Sequence, residues 1–378
     1  MQKQEIIVIT GNAGKTTTTE MIASILQTRW NIFKTKDNYN TAVFVEEYQK
    51  EINQSHQAVV LEYGMRFPGG IAECCRLVQP NIGVITNIGL SHIGKFKGDL
   101  TAVAAEKSEL IKSIKQNGKL YLNADDENSR LLDTNHFSGD IIYISIKENS
   151  SYQAYDVTSS QDGIKFKINL SDVVWNFNLS LLGKHNVYNV LFAIAVASQL
   201  GFTPLEIKVG LRNFKQLRSR LHLYKYGDFT IIDDTYNASP ESVIAAIDVL
   251  CEIGKTENIA VLSGTFDQDN YSEGYVKIGK HIASQKKISF LYTMENDLVG
   301  AEVKIISKAA IEAGFPAEKV MHFKSISEFY LHFKKHYRTG TTCLMKGVRS
   351  SRLVHFFKLF PLRDVSNIPK IALEKIDV

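Results

Sequence analysis

The fold of this 378-residue chain is decided near its start by the stretch Thr10-Gly11-Asn12-Ala13-Gly14-Lys15-Thr16-Thr17. The β-branched run at residues 6–9 precedes it and is typical of a buried parallel strand. Residues 17–26 follow with an apolar face that predicts a helix. A strand, a glycine turn and a helix N-terminus together present backbone N–H groups to a phosphate. An incidental turn is the alternative, which the flanking strand and helix disfavour.

The loop predicts a bound nucleotide without saying which reaction uses it. Lys15 is expected to reach the β- and γ-phosphates, and the Thr16 hydroxyl to face a magnesium ion. The longer Gly-x-x-x-x-Gly-Lys spacing is not met, because residue 9 is isoleucine. The two glycines still let the backbone close around phosphate oxygens, so the physical reason for the site is the same.

Strands that alternate with helices predict an α/β fold with a mostly parallel, doubly wound sheet in a first domain at residues 1–215. Residues 140–182 change to short alternating segments, which we interpret as a small antiparallel β addition to that domain. Apolar helices are predicted next. Near residue 215 the alternation of strands and helices begins again, which predicts a second, smaller α/β domain at residues 216–378. The further predicted strands are residues 58–62, 82–86, 119–123, 230–233, 259–262, 289–292 and 342–345, and the further helices 101–115, 186–200, 205–214, 240–252 and 303–313.

The composition is that of a globular protein, with 44% hydrophobic and 22% charged residues. A net charge of +4 is too small to favour nucleic acid as a partner. The four cysteines, which include no Cys-x-x-Cys pair, are expected to be free thiols in a reducing compartment. Without a signal peptide pattern or an apolar run that could span a membrane, the chain is expected to be cytoplasmic.

Several further motifs follow the loop in a fixed order. Together they resemble the Mur ligases, which use ATP to join an amine to a carboxylate, and among these the D-alanyl-D-alanine-adding type. The resemblance covers nearly the whole chain. The motifs are Lys34-Thr-Lys-Asp-Asn-Tyr-Asn40, Leu61-Glu-Tyr-Gly-Met-Arg-Phe-Pro-Gly-Gly-Ile-Ala72, Ile85-Thr-Asn-Ile-Gly-Leu-Ser-His92, Lys107, Asn123-Ala-Asp-Asp126, Gly183-Lys-His-Asn-Val-Tyr-Asn189, Ser219-Arg220, Asp234-Thr-Tyr-Asn-Ala-Ser-Pro240 and Lys346-Gly-Val-Arg-Ser-Ser-Arg352.

The resemblance implies a metal site in the first domain. Glu62 looks like the carboxylate that holds magnesium near the γ-phosphate, although a strand-end glutamate in solvent is the alternative. His92 resembles a second metal ligand, a duty that suits imidazole, whereas a lone histidine is more often structural. Lys107 matches a lysine that family members carry as a metal-binding carbamate, and the alternative is an unmodified surface helix lysine. Together with Thr16, these residues form the implied metal set.

The resemblance also implies contacts to the nucleotide. Asn186 and Asn189, three residues apart on one helix face, are expected near the adenine, with helix capping as the alternative for Asn186. Arg220 matches an arginine that reaches the phosphates, and Asp234 an acidic residue that contacts the ribose. The implied catalytic set is Lys15, Glu62, His92, Lys107 and Arg220. The implied ATP-binding set is Gly11, Asn12, Ala13, Gly14, Lys15, Thr16, Thr17, Asn186, Asn189, Arg220 and Asp234. Lys346 and Arg349 are expected to hold a substrate carboxylate or phosphate unless they form an exposed basic turn, and Tyr236, Asn237 and Pro240 are expected to shape their loop.

The implied activity is an ADP-forming, Mg²⁺-dependent ligase that makes an amide bond through an acyl phosphate. The acid is a small molecule or a peptide, and the amine is an amino acid or a dipeptide. The family's nucleotide-sugar ligases carry a domain before the loop, whereas nine residues precede Thr10 here. We therefore expect an acid other than a UDP-muramoyl peptide, or a partner protein that supplies the missing domain. The altered stretch at residues 263–269 suggests a different amine side as well.

Two alternatives remain at this point. A glutamate ligase similar to folylpolyglutamate or poly-γ-glutamate synthases would fit the short N-terminus, but it matches the motif at residues 234–240 less well. A non-catalytic ATP-binding subunit of a ligase complex would need no metal ligands, so the implied metal set disfavours it.

Overall fold

The computed structural model describes residues 4–65, 67–227, 229–265, 272–295 and 300–347. The chain forms two compact units that divide after Leu217, two residues from the predicted division. Within the described ranges, no helix has both the length and the apolar character that crossing a membrane requires.

The first unit alternates strands and helices as far as β5, continues with strands through its small sheet, and ends in two helices. Its elements are β1 Glu5–Thr10, α1 Lys15–Leu26, β2 Ile32–Lys34, α2 Ala42–Glu51, β3 Ala58–Glu62, α3 Gly70–Leu77, β4 Ile82–Ile85, α4 Leu100–Ser113, β5 Lys119–Asn123, β6 Asp140–Ser145, β7 Tyr152–Gln153, β8 Tyr155–Ser160, β9 Gly163–Leu170, β10 Val173–Leu179, α5 His185–Gln199 and α6 Pro204–Asn213.

A seven-stranded parallel sheet with the order β2-β3-β1-β4-β5-β6-β7 forms the centre of this unit. Both faces of the sheet are covered, because alternate side chains of a strand point to opposite sides. Ile7 and Ile9 of β1 pack with α1 and α5 on one face, and Val8 packs with α2, α3 and α4 on the other. The predicted α/β fold with a mostly parallel sheet is confirmed.

The small antiparallel sheet has the order β10-β9-β8 and is narrower than the predicted addition at residues 140–182. The first strands of that range, β6 and β7, instead extend the parallel sheet. β6 lies near the sheet edge and alternates between exposed and buried side chains, a pattern that antiparallel strands share. The apolar alternation of β9 places Ile164, Phe166 and Ile168 in the core that α5 also lines.

The second unit has a six-stranded sheet with the order β11-β12-β16-β13-β14-β15, in which β11 is antiparallel and the others are parallel. Its core includes Phe229, Val261 and Met345. Its elements are β11 His222–Tyr226, β12 Phe229–Asp234, α7 Pro240–Ile253, β13 Glu257–Ser263, α8 Glu273–Ser284, β14 Phe290–Met294, α9 Lys304–Glu312, β15 Val320–Phe323, α10 Ile326–His336 and β16 Thr341–Gly347.

The cysteines are free thiols, of which Cys74, Cys75 and Cys343 are buried and Cys251 is partly exposed. Burial raises the pKa of the Cys74 and Cys75 thiols to about 12. These two side chains therefore pack as small apolar groups rather than act as nucleophiles.

Candidate functional site

The phosphate loop leaves the carboxyl end of β1 at the centre of the parallel sheet. Gly11 and Gly14 have φ values of 141° and 82°, which side chains rarely adopt. A Cβ at Gly11 would lie 1.9 Å from Thr86 Oγ1, and one at Gly14 would lie 2.4 Å from Asn189 Oδ1. Both glycines are therefore required by conformation and by space.

The first residues of α1 are the predicted phosphate ligands. Lys15 begins the helix, and its Nζ donates a hydrogen bond to the Gly11 carbonyl oxygen at 2.9 Å. Thr16 follows and is buried. The N–H groups of Asn12 and Ala13 donate to Asn87 Oδ1 at 3.1 and 2.9 Å. These two residues therefore shape the loop, while the helix N-terminus carries the dipole that favours an anion.

Glu62 ends β3, the strand that pairs with β1, so its side chain lies at the same sheet edge as the loop. The residue is only 2% exposed. Asn40 Nδ2 donates to its Oε1 at 2.7 Å, whereas Oε2 is buried without a hydrogen-bond partner in the described part of the chain. A buried carboxylate oxygen without a partner is costly unless a cation or donor arrives. This position excludes the alternative of a glutamate in solvent.

His92 and Lys107 come from segments beyond β4. His92 is partly exposed and has a φ of 63°, an uncommon value for a residue with a side chain. Lys107 lies on α4 and is 2% exposed, with its Nζ 3.9 Å from Met65 Sδ. The surface-lysine alternative for Lys107 is therefore wrong. The described residues hold no metal-type group of three or more His, Cys, Asp and Glu side chains, so a metal here would also need other ligands.

Asn186 and Asn189 lie on the first turns of α5, and Asn189 connects this helix to α1 just after the phosphate loop. Asn189 Nδ2 donates to Asn186 Oδ1 at 2.8 Å, and Thr18 Oγ1 donates to Asn189 Oδ1 at 3.2 Å. Asn186 Nδ2 donates to the Leu182 carbonyl oxygen at 2.8 Å. Asn186 is not the capping residue of α5, because Lys184 holds that position. Both side chains are buried.

The remaining predicted residues belong to the second unit. Asp234 Oδ2 lies 2.7 Å from Lys346 Nζ, and this nitrogen also donates to the Asn237 carbonyl oxygen at 2.8 Å. Lys346 is 3% exposed, and burial lowers the pKa of its amine despite the neighbouring Asp234. The Arg220 guanidinium carbon lies 4.4 Å from the centre of the Tyr236 ring. Lys346 is therefore a buried ion-pair partner and not part of an exposed basic turn.

Asp234→Ala is expected to destabilise the second unit by about 3–5 kcal/mol, because it leaves the Lys346 ammonium buried without its carboxylate. This loss is measured by a urea titration in which the hydrogen exchange of peptides from β16 reports the unfolding of the second unit. Lys308→Ala, which removes one partner of the exposed pair between Lys308 and Glu312, is the matched control and should change stability by less than about 0.5 kcal/mol. An Asp234→Ala protein within about 1 kcal/mol of the parent would contradict the role of the pair.

Some predicted features lie outside the described residues. These are Arg349 and the altered residues from position 266 to 269. Two residues that sequence reasoning passed over are Asn40, which holds Glu62, and Asn87, which holds the loop. Both stand inside motifs that had been recognised, so the sequence did contain a signal for each residue. The motif could not show which residue each side chain binds, because that partner lies far along the chain.

A nucleotide phosphate and Mg²⁺ fit the residues at this sheet edge. The unpartnered Oε2 of Glu62 is an oxygen ligand of the kind Mg²⁺ prefers. The loop before α1 has the glycines that let a backbone approach a phosphate closely. Ligands of parallel α/β sheets bind outside the carboxyl ends of the strands, which is where β1 and β3 place both features.

Comparison with known proteins identifies the family of the chain. Residues 9–197 match the family model of the Mur ligase middle domain, and residues 219–349 match that of the Mur ligase glutamate ligase domain. The UDP-N-acetylmuramoyl-tripeptide–D-alanyl-D-alanine ligase of Buchnera aphidicola subsp. Baizongia pistaciae is 34% identical, over 92% of this chain and 73% of the relative. The ligase of the same name from Bacillus subtilis is 31% identical, over 93% of this chain and 75% of the relative.

A crystal structure of MurF from Acinetobacter baumannii superposes with a TM-score of 0.83 at 25% identity, covering 94% of this chain and 76% of that one. The family of the chain follows from three findings: the family models that together span most of the chain, the relatives above 30% identity, and this superposition. The resemblance carried by the motifs is confirmed: the chain belongs to the Mur ligase family of ATP- and Mg²⁺-dependent, ADP-forming ligases.

Proposed function

We propose that the phosphate loop and Glu62 form the site at which the γ-phosphate of ATP passes to a substrate carboxylate. The observation that carries this proposal is the buried Glu62 carboxylate, whose Oε2 has no partner in the described structure, at the sheet edge beside the loop. A purely structural glutamate would be expected to have both oxygens satisfied. A binding module without chemistry has no use for such a group, which argues against the non-catalytic alternative.

The proposed roles follow from where the side chains lie. Lys15 binds the β- and γ-phosphates once its Nζ leaves the Gly11 carbonyl oxygen. Glu62 and Thr16 would hold Mg²⁺, which neutralises phosphate charge when bound. Asn189 packs against Gly14 at the end of the loop. The other residues with proposed roles are Gly11, Asn12, Ala13, Thr17 and Asn186 in the ATP site, His92 and a carbamylated Lys107 as further metal ligands, and Arg220 and Asp234 from the second unit.

The proposed reaction consists of two successive nucleophilic substitutions, the first at phosphorus and the second at carbon. The protein contributes mainly by positioning the reactants and neutralising charge. A carboxylate oxygen of the acid attacks the γ-phosphorus, and ADP leaves. The nitrogen of the uncharged amine attacks the acyl carbon, inorganic phosphate leaves, and the nitrogen loses a proton. Lys15 would stabilise the negative charge that moves along the phosphate chain.

We further propose D-alanyl-D-alanine as the amine and a UDP-N-acetylmuramoyl-tripeptide as the acid. Support comes from the two relatives above 30% identity, which are both named for that pair of substrates. This proposal departs from the sequence-based expectation of an acid other than a UDP-muramoyl peptide. Because the reaction consumes ATP, we place it in the cytoplasm.

The test is a ligation assay with ATP and Mg²⁺ in which the acid and the amine are varied independently. ADP release and the mass of the product are measured for the UDP-linked tripeptide, the same tripeptide without the nucleotide, and folate, each with D-alanyl-D-alanine or glutamate. A dipeptide added to the UDP-linked tripeptide supports the full proposal. Addition of glutamate alone would favour the glutamate ligase alternative, and no turnover with any pair would overturn the catalytic assignment.

A further inference from the structure

We infer that Asn87 is a positioning residue that fixes the phosphate loop in its ATP-binding shape. Its Oδ1 accepts hydrogen bonds from the N–H groups of Asn12 and Ala13, at 3.1 and 2.9 Å. Its Nδ2 donates to the Ala13 carbonyl oxygen at 3.1 Å. A single side chain therefore binds both the donor and the acceptor of the peptide groups at the tip of the loop. The inference rests on the proposed function, because it takes this loop to be the ATP site.

The segment that carries Asn87 is joined to the loop in both directions. Thr86 Oγ1 donates to the Ala13 carbonyl oxygen at 2.6 Å. In return, Asn12 Nδ2 donates to the carbonyl oxygens of Gly89 at 2.7 Å and Ser91 at 3.2 Å. The loop and the segment at residues 86–91 are thus connected by side chains from each, which restricts sliding of one past the other.

The peptide after Asn87 is itself held from both sides. Asp126 Oδ2 accepts from the Ile88 N–H at 2.9 Å, and Asn128 Nδ2 donates to the Ile88 carbonyl oxygen at 3.0 Å. Ser129 Oγ also donates to Asp126 Oδ2, at 2.7 Å. This arrangement gives Asn87 a rigid base, so the position of its amide is transmitted to the loop rather than lost in backbone motion.

The functional consequence lies in the orientation of the loop's peptide groups. With the N–H groups of Asn12 and Ala13 bound to Asn87, the turn is fixed before a phosphate arrives. Binding then requires little ordering of the loop, and preorganisation of this kind improves affinity by lowering the entropy lost on binding. Without the Asn87 amide, the N–H of Ala13 would lose the acceptor that the structure gives it.

Two variants separate the contributions of the amide. Asn87→Ala removes every side-chain contact, and we expect hydrogen exchange at the Ala13 amide to become at least tenfold faster and ADP binding about tenfold weaker. Asn87→Asp keeps an acceptor for both N–H groups, so slow exchange should return. ADP binding should stay weak in that variant, because a carboxylate beside the loop repels phosphate. Asn135→Ala, in an exposed turn, is the matched control and should change neither quantity.

The measurements are amide exchange of overlapping peptides across residues 10–18 without nucleotide, calorimetric titration with ADP, and thermal unfolding. Asn87→Ala with parental exchange at Ala13 would overturn the inference. So would faster exchange with parental ADP affinity, or an Asn87→Asp protein that exchanges as fast as Asn87→Ala. If the parent binds no ADP at all, the proposed function fails. The hydrogen-exchange measurement still decides whether Asn87 orders the loop.

Discussion

Lys15→Ala is expected to lower ATP turnover by a factor of at least about 10³ while the protein remains folded. The lysine is the cation at the start of α1, and its Nζ already lies inside the loop, 2.9 Å from the Gly11 carbonyl oxygen. Removing it takes away the charge that would face the phosphates. Folding loses the partly buried hydrogen bond to the Gly11 carbonyl oxygen, and a hydrogen bond of this kind contributes about 1 kcal/mol. ADP release, together with a thermal unfolding curve, measures both effects.

The control for Lys15 is a lysine of the same unit that lies away from the sheet edge. Lys50, in the last turn of α2, is exposed and serves this purpose, so Lys50→Ala should retain parental turnover. If Lys15→Ala turned over ATP at a rate within tenfold of the parent, the phosphates would have to bind elsewhere. A Lys15→Ala protein that unfolds at a much lower temperature would instead give the residue a structural role.

Glu62→Gln is expected to lower turnover by at least about 10² and to raise the Mg²⁺ concentration needed for half-maximal rate. The amide is close in shape to the carboxylate and keeps an oxygen for the hydrogen bond from Asn40 Nδ2, but it lacks the charge that binds the metal. The buried Oε2, which has no partner in the described structure, lowers the stability of the fold. We therefore expect the variant to be at least as stable as the parent, as is common where activity needs a strained site.

Magnesium titration of the turnover rate and urea unfolding are the two measurements for Glu62→Gln. Glu47→Gln is the matched control, because Glu47 is an exposed glutamate of α2 and its replacement should change neither quantity. A Glu62→Gln protein with an unchanged Mg²⁺ requirement would remove Glu62 from the metal site. One that is destabilised by several kcal/mol would show that the carboxylate has a partner that stabilises folding.

Sequence reasoning succeeded where the signal was local. The run at residues 6–9, the glycine loop and the apolar residues of α5 each specify their own structure. Their elements begin and end within one or two residues of the predicted positions. Short β2 and α2 escaped prediction because a strand of three residues shows no period, and α2 buries only Val45 and Tyr48 and so lacks an apolar face. Lys107 was left open between surface and site because burial depends on the packing of other elements.

The parts of the site that the sequence could not supply are pairings between distant positions. Asn87 meets Ala13 across 74 residues, and Asn40 meets Glu62 across 22. Asp234 was expected to contact the ribose and Lys346 a substrate carboxylate or phosphate, yet they pair with each other because β12 and β16 are neighbouring strands. A pattern of residue types has no information about such partners until the strand order is known. The catalytic, metal and ATP-binding roles stay predictions that the variants above test.

The contact between Gly14 and Asn189 has a consequence for how this unit matures during synthesis. Thr18, four residues beyond Gly14, bonds to Asn189 across 171 residues of chain. A ribosome-bound chain that has not yet released α5 therefore holds an incomplete loop. Nucleotide captured by the finished loop stabilises the folded unit, by about 2.7 kcal/mol when its concentration is a hundredfold above the dissociation constant. Bound nucleotide would thus stabilise only those chains in which α1 and α5 have already come together.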